Sequence, residues 1–313
     1  MAARCEATVL IVNPNARGGW LGRRWPMLEP LLREELGPLT VRFTSRPGEG
    51  TPLCQEALAA GAQLVLAIGG DGTASEVAAG FLRSGQAAQD GPSFGLLPCG
   101  TGGDFRRSLD LPTRIRQAAR AVALARPRPI DAGRLDYTGP DGRPATTYFI
   151  NIASFGIGGL VDQLVNRSSK WLGGRATFLA ASVRASLRYR NARVRLQLDQ
   201  QPPQELRIYN VAVANGRYFG GGMQVAPEAA LDDGLFDVVV LGDLSFPEAL
   251  RLAGPIYRGT HLGRPKVSTA RARQVHAEPL DSGEEVLLDV DGETPGRLPA
   301  TFSLLPAALR IKH

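Results

Sequence analysis

Leu64-Val65-Leu66-Ala67-Ile68 runs directly into Gly69-Gly70-Asp71-Gly72-Thr73, and Ala74 to Leu82 follows with helical spacing and Glu76 in its first turns. The apolar run predicts a buried parallel strand. A strand that stops at glycines lets backbone come close to a neighbour or a ligand. Successive N–H groups beside a helix N-terminus form a cradle for an anion, phosphate above all. A tight strand-to-helix turn with no ligand is the alternative. Asp71 weighs against it, because a carboxylate beside bound phosphate needs a metal or a hydroxyl between them. This stretch alone implies nucleotide-dependent phosphotransfer.

The flanking chain repeats the pattern. Ala7 to Val12 predicts a strand ending at Asn13-Pro14-Asn15-Ala16-Arg17-Gly18-Gly19, either a simple turn or a second ligand loop. Trp25 to Leu36 predicts a helix stopped by Gly37, Thr40 to Thr44 a strand, and Pro52 to Ala60 a helix ending before Gly61. Phe94 to Leu97 predicts a fourth strand, which ends at Pro98-Cys99-Gly100-Thr101-Gly102-Gly103-Asp104-Phe105. There Thr101 can bond phosphate, and Asp104 can orient a neighbour or cap a turn. Pro112 to Ala125 predicts a helix. Alternating strands and helices imply a parallel sheet covered by helices, with ligands beyond the carboxyl ends of its strands.

From about residue 130 the texture changes. Asp131 to Tyr137 and Thr146 to Ile150 flank a hairpin signal at Thr138-Gly139-Pro140-Asp141-Gly142. Arg193 to Leu198, Leu206 to Ala214, Leu235 to Leu241, Lys266 to His276, Glu285 to Val290 and Thr301 to Leu305 predict further strands, so antiparallel sheets are expected. One helical region, Ile157 to Tyr189, interrupts them. The expected domains are residues 1–128, residues 129–305, and a C-terminal segment 306–313 that returns to the first.

Two acidic stretches stand out in the second half. Asp232-Asp233-Gly234 has the composition of a hard-cation loop or of a solvated turn. In Asp289-Val290-Asp291-Gly292-Glu293 the acids alternate and share a face if the chain stays extended, which calls for a cation or raises a pKa. The alternative is a charged hairpin edge.

At 313 residues the chain exceeds the roughly 250–300 at which single cores stop growing. A formal charge of +6 suits anionic partners without choosing among them. Arg184, Arg188, Arg190, Arg193 and Arg195 form a basic run that reads as a solvated face rather than a nucleic-acid surface. Cys5, Cys54 and Cys99 are scattered, so disulfides and zinc are not expected and a cytoplasmic setting is. No apolar run reaches the roughly 18 residues of a membrane span.

In order and spacing, these motifs resemble the bacterial diacylglycerol-kinase-like lipid kinases, relatives of sphingosine and ceramide kinases and, more distantly, of NAD kinases. The likeness runs through Asn13-Pro14, Gly69 to Thr73 with Glu76-Val77, Pro98-x-Gly100-Thr101-x-x-Asp104-Phe105, Ile130-Asp131-x-Gly133 and Phe149-Ile150-Asn151-Ile152-Ala153. It continues through Asn215-Gly216, Gly221-Gly222, Leu231-Asp232-Asp233-Gly234 and Val290-Asp291-Gly292-Glu293. The resemblance implies an α/β nucleotide domain followed by an antiparallel β-sandwich domain carrying the lipid-facing cleft. It implies an ATP site between two domains, meeting Asn13, Asn15, Arg17, Thr44, Gly69, Gly70, Asp71, Gly72, Thr73, Glu76, Gly100 and Thr101. Asp71 would act with Mg²⁺ on the phosphates. A second Mg²⁺ would be held by the Asp233 carboxylate and the carbonyls of Ala230 and Leu235. Glu293 would accept the proton, with Asp291 beside it and Asp104 and Asp131 in support.

The sequence departs from the family at two places: Gly103 and Ser75 stand where an Asn is usual. The implied activity is ATP-dependent phosphorylation of a diacylglycerol-like lipid, with transient membrane-surface contact near Trp20 and Trp171. A soluble-acceptor kinase such as an NAD kinase, and a silent nucleotide- or lipid-binding protein, are the rival readings. A homodimer is compatible with the sequence, which leaves oligomeric state open.

Overall fold

The computed structural model describes residues 8–84, 91–167, 184–185 and 189–313. Contacts divide the chain into two units, residues 1–132 with 306–313 and residues 133–305. The expected class, a parallel α/β domain followed by an antiparallel sandwich, is the one adopted.

In the first unit, β1 (Thr8–Val12), β2 (Thr40–Phe43), β3 (Leu64–Gly69) and β4 (Ser93–Pro98) form a parallel sheet in the order β2-β1-β3-β4. Val9, Leu10, Ile11 and Val12 are fully buried, as are Val65 to Ile68, because helices cover both faces. Those helices are α1 (Ala16–Leu36), α2 (Gly50–Ala59), α3 (Asp71–Ser84), α4 (Asp104–Ser108) and α5 (Ile115–Leu124). α1 starts earlier than Trp25: its first turn is left-handed at Arg17, Gly18 and Gly19 (φ 52°, 65° and 79°), and it then runs on through Pro26 and Pro30. Gly37, at φ 78°, ends it and donates its N–H to the Arg33 carbonyl. The predicted helix from Pro112 begins only at Ile115, and the short α4 precedes it.

The second unit is a sandwich. A five-stranded antiparallel sheet has the order β12-β11-β10-β7-β14, built from β7 (Ile152–Gly156), β10 (Asn210–Ala214), β11 (Phe236–Leu241), β12 (Val267–Ala272) and β14 (Leu288–Val290). The facing sheet contains β8 (Ala192–Leu198), β9 (Gln204–Ile208), β13 (Gln274–Pro279), the part of β15 (Arg297–Lys312) up to Leu305, and the part of β5 (Arg128–Thr138) from Gly133 on, in a hairpin with β6 (Pro144–Phe149). Phe149 stacks on Phe236 at 5.5 Å and Phe155 on Phe302 at 5.8 Å in the core between them. Along β10, Val211 and Val213 face this core. Ala212 and Ala214 face a second cluster containing Leu252 and Ile256. Those two belong to α7 (Phe246–Tyr257), which the strand-rich reading of this half missed. Its start carries a legible signal: the N–H and the hydroxyl of Ser245 both bond Glu248 Oε2 at 2.7 Å.

Two predicted long strands are each two strands in different sheets. The run Leu206 to Ala214 breaks at Tyr209, whose N–H turns to the carbonyls of Leu241 and Gly242. The run Lys266 to His276 breaks at Arg273, where Asp199 Oδ1 accepts the N–H groups of Arg273 and Gln274 at 2.9 and 2.8 Å. The predicted strand from Glu285 is ordered as a strand only over β14. Thr301 to Leu305 and residues 306–312 belong to one strand, β15; within the first unit, Ile311 pairs with Phe94. The helical region expected over 157–189 begins as α6 (Ile157–Arg167); the rest of it, with Arg188 and Trp171, lies largely outside the described residues.

Candidate active site

In the first unit, the strand order switches between β1 and β3, so their crossovers leave in opposite directions and open a crevice at the carboxyl ends. Val12 is in register with Phe43 and Ile68, and Gly69 with Pro98, so all four loops begin at one level. Asn13 Nδ2 donates to Thr73 Oγ1 at 3.3 Å across the switch point, while Asn13 Oδ1 accepts the Asn15 N–H at 3.0 Å. Thr44 is buried and donates its N–H to the Val12 carbonyl.

The glycines here are demanded by backbone contact. A Cβ on Gly100 would strike the Gly70 Cα, and one on Gly69 would strike the Thr73 hydroxyl. The two glycine loops therefore touch backbone to backbone, leaving exposed Thr101 at the rim. Exposed Arg17 stacks on Trp20 at 5.3 Å.

The carboxylates of this unit hold the loops in place. Asp71 Oδ2 accepts the N–H groups of Gly103 and Asp104 at 2.8 and 3.2 Å, and Oδ1 accepts that of Phe105 at 3.2 Å. Buried Phe105, stacked on Phe94 at 6.5 Å, pins the same loop to the core. Glu76 accepts the N–H groups of Gly48 and Gly50, both at 2.8 Å, and so shapes the entry to α2. Buried Asp104 pairs with Arg107 at 2.8 Å, a residue the sequence did not single out. Buried Asp131 accepts the Ala307 N–H at 2.7 Å and ties in the C-terminal segment.

In the second unit, the three alternating acids do not share a face. Asp291 takes φ 50° and Gly292 φ 90°, so the chain turns and Val290 and Glu293 exchange backbone bonds of 2.8 and 3.0 Å. Asp291 accepts the N–H groups of Ile150, Asn151 and Ile152 at 3.0, 3.1 and 3.1 Å. Asp289 is buried and accepts the Gly292 N–H at 3.0 Å. Glu293 is the exposed carboxylate of the turn. Asn151 and Asn215 tie residues 150–151 to residues 215–218: Asn151 Nδ2 donates to the Tyr218 carbonyl and Asn215 Nδ2 to the Ile150 carbonyl.

Residues 7–135 match the diacylglycerol kinase catalytic domain, and residues 151–313 match the YegS C-terminal NAD kinase beta sandwich-like domain. The chain belongs to the diacylglycerol kinase family. A diacylglycerol kinase of Mycobacterium tuberculosis is 33% identical over 260 residues, covering 83% of this chain and 79% of the relative. A probable lipid kinase YegS-like protein of Xanthomonas euvesicatoria is 32% identical and covers 90% of both. A crystal structure of a putative diacylglycerol kinase from Bacillus anthracis superimposes with a TM-score of 0.76 at 26% identity, over 99% of this chain and 98% of that one. Among the described residues, no helix is long and apolar enough to cross a membrane.

Within this lipid kinase family, the Gly103 departure has a backbone reason. The residue sits at φ 68°, a left-handed position open to glycine and, next best, to the usual Asn. The loop keeps its course and loses an amide side chain.

For the ion expected on the phosphates, the donor set at Asp71 fits. Oδ2 already takes two N–H donors and Oδ1 one, so Oδ1 retains capacity for a further contact. For the second ion, the turn at Asp233 does not fit. Asp233 Oδ1 accepts the Leu235 N–H at 3.1 Å, and Oδ2 is in contact with the Arg271 guanidinium. Among the described residues, no group of three His, Cys, Asp or Glu side chains is placed to hold a metal.

Proposed function

We propose that this lipid kinase family member transfers the γ-phosphoryl group of ATP, with Mg²⁺, to a hydroxyl of a diacylglycerol-like lipid. The observation that carries the reading is the set of glycine loops gathered at the β1–β3 switch point, with Asn13 bonded to Thr73 across it. Phosphoryl transfer asks a protein mainly to position groups and to neutralise charge. The N–H groups of the 69–73 loop and the Thr101 hydroxyl receive phosphate oxygens. Asn13, Asn15, Arg17 and Thr44 line the nucleotide's approach. Mg²⁺, held through Asp71 Oδ1, would offset charge on the phosphates. Exposed Glu293 takes the proton of the acceptor hydroxyl. Asp291 holds the Glu293 turn, and Asp104 and Asp131 support their own loops.

The acceptor is drawn from the relatives named diacylglycerol kinase. Transient contact with a membrane surface follows for a lipid acceptor, since no described helix spans one.

The test is γ-labelled ATP with Mg²⁺ and a lipid panel in mixed micelles, beside Glu293→Gln. Loss of a general base costs about 10²–10⁴ in rate. Label should enter a diacylglycerol-like lipid and fall by that factor in the variant. Label in no lipid would refute the acceptor class, and a variant of full activity would refute the base.

A further inference from the structure

The Asp233 turn has a second anomaly that points past its reading as an ion site. Asp237 stands opposite Arg271 in the β11–β12 register, so the sheet itself places the guanidinium. The same terminal nitrogen, Nη2, touches Asp233 Oδ2 and lies 3.7 Å from Asp237 Oδ2. That Asp237 oxygen is buried and has no hydrogen-bond partner. Negative charge thus gathers around one arginine, and a buried carboxylate oxygen without a donor needs a cation nearby. A divalent ion at Asp233 would face the guanidinium directly, and like charges exclude each other.

We propose that Arg271 is the resident cation of this turn, joining Asp233 to Asp237 so that the 230–237 segment keeps its shape with no divalent ion bound. The guanidinium suits the task because it is always charged and offers donors to more than one carboxylate. This goes beyond the phosphoryl-transfer reading and does not rest on it.

The experiment uses the full chain without nucleotide, stripped with EDTA, and follows thermal unfolding as MgCl₂ is added. Wild type and Asp233→Asn should respond to Mg²⁺ alike, because neither binds the ion at this turn. Arg271→Met should melt about 2–4 °C lower in EDTA. Millimolar Mg²⁺ should restore it, since the ion now enters the vacated place. Arg271→Lys should retain most of the stability, and Arg271→Met with Asp237→Asn should recover part of it without any ion. A Mg²⁺-induced rise in wild type that Asp233→Asn abolishes overturns the proposal. So does an Arg271→Met variant that melts like wild type in EDTA. If Arg271→Met folds only with Mg²⁺, the proposal stands in its strongest form; the comparison of wild type with Asp233→Asn decides independently of that variant's folding.

Discussion

Asp71→Asn separates two roles that a carboxylate in a glycine loop can have. In the structure Asp71 receives three backbone N–H groups from residues 103–105, all within hydrogen-bond distance. Asn keeps the shape but has one acceptor oxygen and no charge. Whichever way the amide turns, its NH₂ faces at least one N–H donor. Hydrogen bonds to a charged group contribute about 1.5–3 kcal/mol each, and a donor left unsatisfied costs about 1–3 kcal/mol. Partial exposure of Asp71 and local relaxation reduce the sum, so a loss of about 2–4 kcal/mol is expected. Against a total stability of about 5–15 kcal/mol this is a large fraction. The measurement is urea unfolding of nucleotide-free protein in EDTA, with hydrogen exchange read at the Gly103, Asp104 and Phe105 amides. The first unit's transition should move to lower urea, and those amides should exchange faster. A variant as stable as wild type and equally protected there, yet unable to bind Mg²⁺-ATP, would refute the anchoring role and leave the carboxylate as a metal ligand alone.

Gly80→Ala sets packing against propensity: Ala is favoured in a helix by about 0.8–1.0 kcal/mol, but its Cβ would lie 2.5 Å from Cys54 Cβ and 2.9 Å from the Thr51 carbonyl. Urea unfolding should show a net loss of about 1–3 kcal/mol, and a gain would refute the packing argument. His261 is fully buried with Nε2 against the Val225 carbonyl, and burial, aided by Arg264, lowers its pKa from the ordinary 6.5 despite that hydrogen bond. The unfolded chain then binds a proton that the folded chain refuses, so stability is full above pH 6.5 and falls below it with a slope of up to about 1.4 kcal/mol per pH unit. His261→Gln should flatten that slope in unfolding measured between pH 5 and 7, and an unchanged slope would exclude His261 as its source. Burial pushes the Cys54 thiol up to about 12 and the Cys99 thiol to about 11, so in native protein at neutral pH neither should react promptly with an aromatic disulfide, whereas both should after unfolding; rapid native labelling of either would contradict their burial.

The parallel half was legible because its signals are local. A strand such as Thr8 to Val12, buried on both faces, needs no partner to be recognised, and each glycine loop follows its strand directly. The sandwich was less legible because its decisive events are not local. Nothing in Leu206 to Ala214 marks Tyr209 as a crossing between sheets; the cause is a pair of carbonyls at Leu241 and Gly242. The same holds for Arg273, turned by Asp199. At α7 the signal is local, in the capping pair of Ser245 and Glu248.

The acids show where motif chemistry and fold chemistry diverge. Asp71, Asp104, Asp131 and Asp291 each stand in or near a glycine-containing motif, the company that suggests catalysis. Yet Asp71 and Asp291 each gather three backbone N–H groups, Asp131 gathers one, and Asp104 pairs with Arg107. At Asp71 the physical reason lies in the loop it holds. A glycine loop runs without regular ladder partners, so its N–H groups need acceptors, and a short fixed carboxylate satisfies several at once. A loop able to donate N–H groups to phosphate must have its remaining N–H groups held elsewhere, or it would not keep its shape before the ligand arrives. Glu293 differs from these acids in one respect: its carboxylate stands exposed at the tip of a turn whose shape Asp289 and Asp291 maintain. That division, with short acids fixing backbone and a longer acid presented on it, is what makes Glu293 the carboxylate to test first as a base and Asp71 the one to test first as an anchor.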